Sequence, residues 1–145
     1  MNKEEYFIKQ FTSNKIIGDD GAFIDGFVYS MDAFFENVHF KKEWMSLSQI
    51  AYKSMIVNIS DAIFMNANPK FVLLSVAIPK SYTNQDLKEL SKGFKKAAKE
   101  FGIKIIGGDT ISNAKLDISV TIISTTSKLR GFIVSCNRHH LNFER

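Results

Sequence analysis

The chain has 145 residues, enough for one domain with its own hydrophobic core. Hydrophobic residues make up 45% of it and mean hydropathy is −0.07, values that exclude a disordered chain and a membrane-embedded bundle. The formal net charge is +4, but through Lys128 there are 16 Lys and Arg against 14 Asp and Glu, too even a balance to imply a nucleic-acid partner.

Lys88, Lys92, Lys95, Lys96 and Lys99 share one amphipathic segment, where a solvated face explains them. No apolar run approaches the roughly 20 residues that a spanning helix requires, so no membrane partner is expected. The start, MNKEEYFIKQF, lacks the apolar centre of a signal peptide. The lone Cys136 excludes an internal disulfide and fits a reducing, cytoplasmic compartment.

In chain order, residues 3–12 read as a short amphipathic helix with Tyr6, Phe7 and Phe11 turned inward. Lys15 to Gly18 lead into Asp19-Asp20-Gly21. Ala22-Phe23-Ile24, the turn Asp25-Gly26 and Phe27-Val28-Tyr29-Ser30-Met31 then form a hairpin that delivers Asp32. A loop carrying Glu36, Asn37, His39 and Phe40 follows.

Residues 47–67, LSQIAYKSMIVNISDAIFMNA, form the central helix. Ser46 with Gln49 gives a capping box, and Asn66-Ala67-Asn68-Pro69 closes it, since proline forbids continuation. Nearly every position between is apolar, so burial on most sides is expected. At roughly 100° per residue, Ser54, Asn58 and Asp61 fall within about 60° of arc, with Lys53 beside them. A buried carboxylate is costly unless it is paired, hydrogen-bonded or metal-bound, so Asp61 requires a partner. An ion pair or a helix-end cap meets that need as well as a metal does.

Lys70 to Ile78 is an almost continuous apolar strand stopped by Pro79. Thr83 with Asp86 starts a second helix, whose Leu87, Leu90, Phe94, Ala97 and Phe101 keep a 3.6 period and which Gly102 ends. Ile103 to Ile106 reads as a short buried strand running into Gly107-Gly108-Asp109-Thr110. From Leu116 to Ser124 the residues Leu116, Ile118, Val120 and Ile122 alternate with Asp117, Ser119 and Thr121. This order predicts an α+β fold, one mixed sheet with two long helices on one face. The apolar strand at 71–78 wants cover on both faces, so the other face is expected to meet a partner chain or a further domain.

Three junctions carry the chemistry: Gly18-Asp19-Asp20, Met31-Asp32 and Gly108-Asp109, each expected at a strand end. Singly, a Gly-Asp pair is an ordinary turn. Together with Asp61 they supply at least four carboxylates to one pocket, where like charges repel unless cations lie between them. Hard oxygen donors without a cysteine or histidine cluster fit Mg²⁺ better than zinc. Magnesium takes one or two protein carboxylates and fills its remaining positions with water and phosphate, so several ions and a polyphosphate are implied. That points to nucleotide-dependent phosphoryl transfer, although no P-loop, protein-kinase glycine loop or G-x-G-x-x-G is present.

The blocks I-G-D-D-G-A (17–22), S-M-D-x-x-x-E-N-V-H-F (30–40), A-Y-K-S-M-I-V-N-I-S-D-A (51–62) and G-G-D-T (107–110), in that order, resemble the thiamine-monophosphate kinase family. That family lies within the superfamily of aminoimidazole ribonucleotide synthase, selenide water dikinase and a hydrogenase-maturation protein. The match covers about residues 15–127. The resemblance implies ATP-dependent phosphorylation of thiamine monophosphate to the diphosphate, with several Mg²⁺ ions. It implies metal ligands at Asp20, Asp32, Asp61 and Asp109, with Ser30 and Met31 in the same loop. ATP would contact Gly107, Gly108 and Asp109, and His39 the thiamine phosphate. Asp19, Lys53 and Asn58 take supporting roles, Lys53 by neutralising carboxylates. A homodimer is also implied, its amino-terminal sheets closing into a shared barrel over the spare face.

The acceptor phosphate is already ionised, so no general base is expected. Met31 stands where threonine is commoner, leaving only its carbonyl as a ligand. Ile111-Ser112-Asn113 replaces the usual threonine-arginine-glycine and removes a cation. Residues 1–128 are expected to be the ATP- and Mg-binding domain. Residues 129–145 read as a divergent tail, with the substrate-completing second domain absent from the sequence. Two rival readings are another enzyme of the superfamily and a non-catalytic nucleotide-binding or dimerisation module. The selenium enzyme would want a reactive Cys or selenocysteine near a glycine-rich amino terminus, which this sequence lacks.

Overall fold

The computed structural model describes residues 2–11 and 21–126. A short helix α1 (Lys3–Lys9) precedes the hairpin β1 (Ala22–Ile24) and β2 (Phe27–Phe35), then α2 (Leu47–Phe64), β3 (Asn68–Pro79), α3 (Asn84–Phe101), β4 (Lys104–Asn113) and β5 (Asp117–Thr125). The five strands form one sheet in the order β1-β2-β5-β3-β4. All neighbours are antiparallel except β3 and β4. This is the mixed sheet with two long helices on one face that the sequence predicts. β5, last in the described chain, inserts between β2 and β3, so the two α2- and α3-containing crossovers both span that face.

Both long helices begin as their sequences dictate. Ser46 Oγ accepts from the Gln49 N–H at 3.2 Å while Gln49 Oε1 accepts from the Ser46 N–H at 2.9 Å. Thr83 and Asp86 repeat the arrangement on α3. Gly102 closes α3 with φ of 64°, the left-handed cap that glycine takes most cheaply. The core lies between α2, α3 and the alternate residues of the sheet: Val72 and Val76 of β3, Ile118, Val120 and Ile122 of β5, Phe34 of β2. Gly93 of α3 meets Ser48 and Ala51 of α2 so closely that a Cβ there would collide with the Ser48 carbonyl oxygen.

Four expectations change. α1 buries nothing: Tyr6 is 64% exposed and Phe7 63%, because no sheet or helix among the described residues packs on it. α2 stops at Phe64, three residues early, with Asn66 at φ of 62°, and its last apolar residues Ile63 and Phe64 face solvent. β4 is ten residues long rather than four and exposed throughout, since it is an edge strand with one neighbour. Gly107-Gly108-Asp109-Thr110 therefore lies inside a strand and Asp32 in the middle of β2, not at strand ends. The predicted tail, residues 129–145, and the Gly18-Asp19-Asp20 junction lie outside the described residues.

Candidate functional site

Along β2, Val28, Ser30, Asp32 and Phe34 point to the helices and Tyr29, Met31 and Ala33 to the open face, as the alternation of burial shows. Val28 packs with Met65 and Ala67 just past α2, whereas Phe34 shares the main core with Ile50 near the start of α2. Helix and strand thus run in opposite directions. One step along β2 from Val28 is Ser30, and one turn back along α2 from Met65 is Asp61, followed by Asn58.

This seam is polar in an otherwise apolar interface. Asp61 is only 8% exposed, and Ser30 and Asn58 are also buried. Two of the helix polar groups are satisfied locally: Ser54 Oγ donates to the Ala51 carbonyl at 2.7 Å and Asn58 Nδ2 to the Ser54 carbonyl at 2.9 Å. The buried hydroxyls of Ser30 and Ser124 have no hydrogen-bond partner among the described residues. Ser124 sits opposite Val28 on the neighbouring strand, on the same face. A buried hydroxyl left without a partner costs about 1–3 kcal/mol, which marks the seam as built to receive something polar. Asp32 is half-buried and its Oδ1 accepts from the Ala33 N–H at 3.0 Å.

The other predicted residues are distributed differently. Register carries Asp32 across Val120 and Leu74 to Gly108, three inter-strand steps of about 4.8 Å, or about 14 Å. Asp109 pairs with Ser75, whose face is the one turned away from the helices. Asp32 and Asp61 therefore approach from the helix side and Asp109 from the open side. Among the described residues no group of three or more His, Cys, Asp or Glu side chains is placed to hold a metal ion. Asp19 and Asp20 lie outside those residues. Met31 is 58% exposed on the open face, and Lys53 is exposed on α2. Gly107 and Gly108 have φ of 153° and 150°, and a Cβ on Gly108 would collide with the Leu74 backbone. Glycine at 108 is thus demanded by the approach of β3, whatever else meets it.

His39 lies in the loop after β2. Its Nδ1 accepts from the Phe35 backbone N–H at 2.7 Å, and the His39 backbone N–H donates to the Phe35 carbonyl at 2.8 Å. The ring stacks on Phe34 at 5.9 Å and meets Phe35 edge-on at 6.1 Å. Sequence reasoning missed what anchors this loop, namely Glu36 and Asp117. Glu36 Oε1 accepts from the Leu116 N–H at 3.0 Å, and Asp117 Oδ1 accepts from the Glu36 N–H at 3.1 Å. Their separation of 81 residues left no local signal to read. Ser124 was likewise invisible, as the last inward position of an alternating strand.

These features define an α+β domain whose acidic seam runs between its central helix and the strand opposite. The family model "AIR synthase related protein, N-terminal domain" matches residues 18–126, and the chain belongs to that family. It is 39% identical over 118 residues to the thiamine-monophosphate kinase of Bacillus subtilis (strain 168), covering 77% of this chain and 36% of that protein. Against the thiamine-monophosphate kinase of Buchnera aphidicola subsp. Acyrthosiphon pisum it is 34% identical over 125 residues, covering 83% and 38%. Among solved structures, "AaThiL complexed with AMPPCP and TMP" matches with a TM-score of 0.78 and 26% identity, over 88% of this chain and 45% of that one. The thiamine monophosphate kinase from Aquifex aeolicus gives 0.76 and 25%, over the same shares. The chain thus spans less than half the length of these relatives.

Proposed function

We propose that this chain is the nucleotide- and metal-binding part of a thiamine-monophosphate kinase, which transfers the γ-phosphoryl group of ATP to thiamine monophosphate. The observation that carries this reading is the combination of 39% identity to a named thiamine-monophosphate kinase and a shared fold with a relative solved with AMPPCP and TMP. Residues 1–128 form the domain concerned, in a cytoplasmic homodimer whose second copy covers the open sheet face, where Met31 lies bare.

The donor set on the helix side suits a hard divalent ion. Asp61 is a carboxylate on a buried helix, and the Ser30 hydroxyl, two residues along β2 from Val28 on the same face, has no partner among the described residues. Asp20, Asp32 and Asp61, with Ser30 and the Met31 carbonyl, are the residues that would hold Mg²⁺; Asp19, Asn58 and Lys53 support them. Magnesium, when bound, supplies neutralisation of phosphate charge. Asp109, with Gly107 and Gly108, serves the nucleotide from β4. His39 holds the acceptor phosphate in place as a hydrogen-bond donor. No residue need abstract a proton, because a phosphate monoester has its second pKa at about 6 and arrives ionised.

The test is to supply ATP, Mg²⁺ and thiamine monophosphate to this chain and to a version extended through a second domain of the relatives' kind. Thiamine diphosphate from either preparation, dependent on Mg²⁺, is the expected result. Absence of product from both, with each preparation folded by circular dichroism, would refute the assignment.

A further inference from the structure

Resting on the assignment of His39 to the acceptor phosphate, we propose that Glu36 is a positioning residue that fixes the His39 imidazole as an Nε2–H donor. An Nδ1 that accepts the Phe35 N–H at 2.7 Å cannot itself carry a proton, so neutral His39 holds its proton on Nε2. That tautomer presents a buried Nε2–H, which can donate to an anionic oxygen such as a phosphate's and cannot accept from an ammonium or hydroxyl donor. The ring orientation is fixed by stacking on Phe34 and edge contact with Phe35.

The loop needs an anchor to hold that geometry. Residues 36–40 form a tight turn with Asn37 at φ of 64°, closed by the Asn37 N–H donating to the Phe40 carbonyl at 2.6 Å. Glu36 ties the turn to the sheet in both directions. Its carboxylate accepts from the Leu116 N–H at 3.0 Å, and its own N–H is accepted by the Leu116 carbonyl and by Asp117 Oδ1, both at 3.1 Å. Asp117 Oδ2 in turn accepts from Asn113 Nδ2 at 3.2 Å. One clasp therefore joins the ends of β2, β4 and β5 immediately beside Phe35, the residue that bonds His39 through both its N–H and its carbonyl. Hydrogen bonds from neutral amides to a carboxylate are among the stronger ones, so the carboxylate of Glu36 is the part to remove.

The experiment uses the uniformly ¹⁵N-labelled chain and reads the His39 imidazole by long-range proton–nitrogen correlation, then titrates thiamine monophosphate. The parent is expected to show one tautomer with unprotonated Nδ1. Glu36→Ala, and the milder Glu36→Asp that is one methylene too short to reach Leu116, are expected to average the two ring-nitrogen shifts. Both should weaken thiamine monophosphate binding by about tenfold, the loss of one hydrogen bond to a charged group, and leave AMPPCP binding unchanged. Glu36→Gln keeps the accepting oxygen and should restore the parent pattern. A single unchanged tautomer in Glu36→Asp, or Glu36→Gln behaving like Glu36→Ala, overturns the positioning role. If the tautomer follows Glu36 as predicted while the parent binds no thiamine monophosphate, the clasp stands and the substrate assignment falls.

Discussion

α2 and β4 look alike as strings of residues, and the fold treats them in opposite ways. Both carry isoleucines beside a polar motif, IVNISDAIF in one and KIIGGDTIS in the other. On α2 Ile50, Met55 and Ile59 are fully buried between the sheet and α3. On β4 Ile105, Ile106 and Ile111 are 39%, 52% and 56% exposed, because the strand has β3 on one side and nothing described on the other. Apolar composition therefore records that a segment can be buried, while the neighbours present decide whether it is. A strand edge this apolar is an incomplete surface, the kind that native sheets normally cover or charge.

The largest test of this contrast is truncation of matched side chains. Met55→Ala should cost about 3 kcal/mol of stability, since it opens a cavity among residues that cannot collapse around it. Ile106→Ala on the edge should cost less than about 0.5 kcal/mol in the isolated chain. Urea midpoints of the two variants measure the difference. Equal losses would mean that β4 is covered in solution.

The second test concerns two glycines that both admit a neighbouring backbone. Gly93→Ala drives a Cβ into the Ser48 carbonyl oxygen and to 2.8 Å from the Ala51 Cβ, so α2 and α3 must separate; about 2 kcal/mol is expected. Gly108→Ala meets the Leu74 backbone as closely, with φ of 150° besides. Yet β4 is an edge and can detach alone. Its variant should show faster amide exchange confined to β4, with a smaller shift in the global midpoint than Gly93→Ala. Loss of protection spread over α2 and α3 in the Gly108 variant would break the comparison.

How much of this could be read beforehand follows the same division. The capping boxes at Ser46 and Thr83 and the alternation of β5 were legible because each is a local rule acting over a few residues. So was the buried arc of Ser54, Asn58 and Asp61, which needs only the helical period. What stayed hidden depends on partners distant in sequence. α1 has the amphipathic pattern of a packed helix but nothing to pack on among the described residues. The face on which Asp109 emerges was set by a register shift between Val72 and Leu73, and no composition reveals such a shift. Gly93 lies inside the α3 period with no local sign that α2 approaches it. The clasp of Glu36 and Asp117 joins residues far apart, and only the sheet order β2-β5 brings them together.

The smallest effect at neutral pH, and the one confined to the well-packed region, belongs to Tyr82. It packs against the main core in the turn between β3 and α3, and its buried hydroxyl has no hydrogen-bond partner among the described residues. Burial first, then the carboxylates of Glu36 and Asp86, disfavours the phenolate and pushes the Tyr82 pKa from 10.0 to about 12. Between those values the folded chain keeps a proton that the unfolded chain has lost. The contribution is therefore whole below pH 10 and is lost as pH rises through about 12. Tyr82→Phe removes the titrating group and an unsatisfied hydroxyl together, so its stability at pH 7 should stay within about 0.5 kcal/mol of the parent. Above pH 10 the parent should lose more stability than the variant, when both are followed by denaturant midpoint at fixed ionic strength. Because the Glu36 charge helps to raise this pKa, Glu36→Gln should make the alkaline decline smaller and end it at lower pH, with its onset unchanged. That links the loop bearing His39 to the edge of the core, and identical alkaline profiles for parent and Tyr82→Phe would show that the phenol is solvated after all.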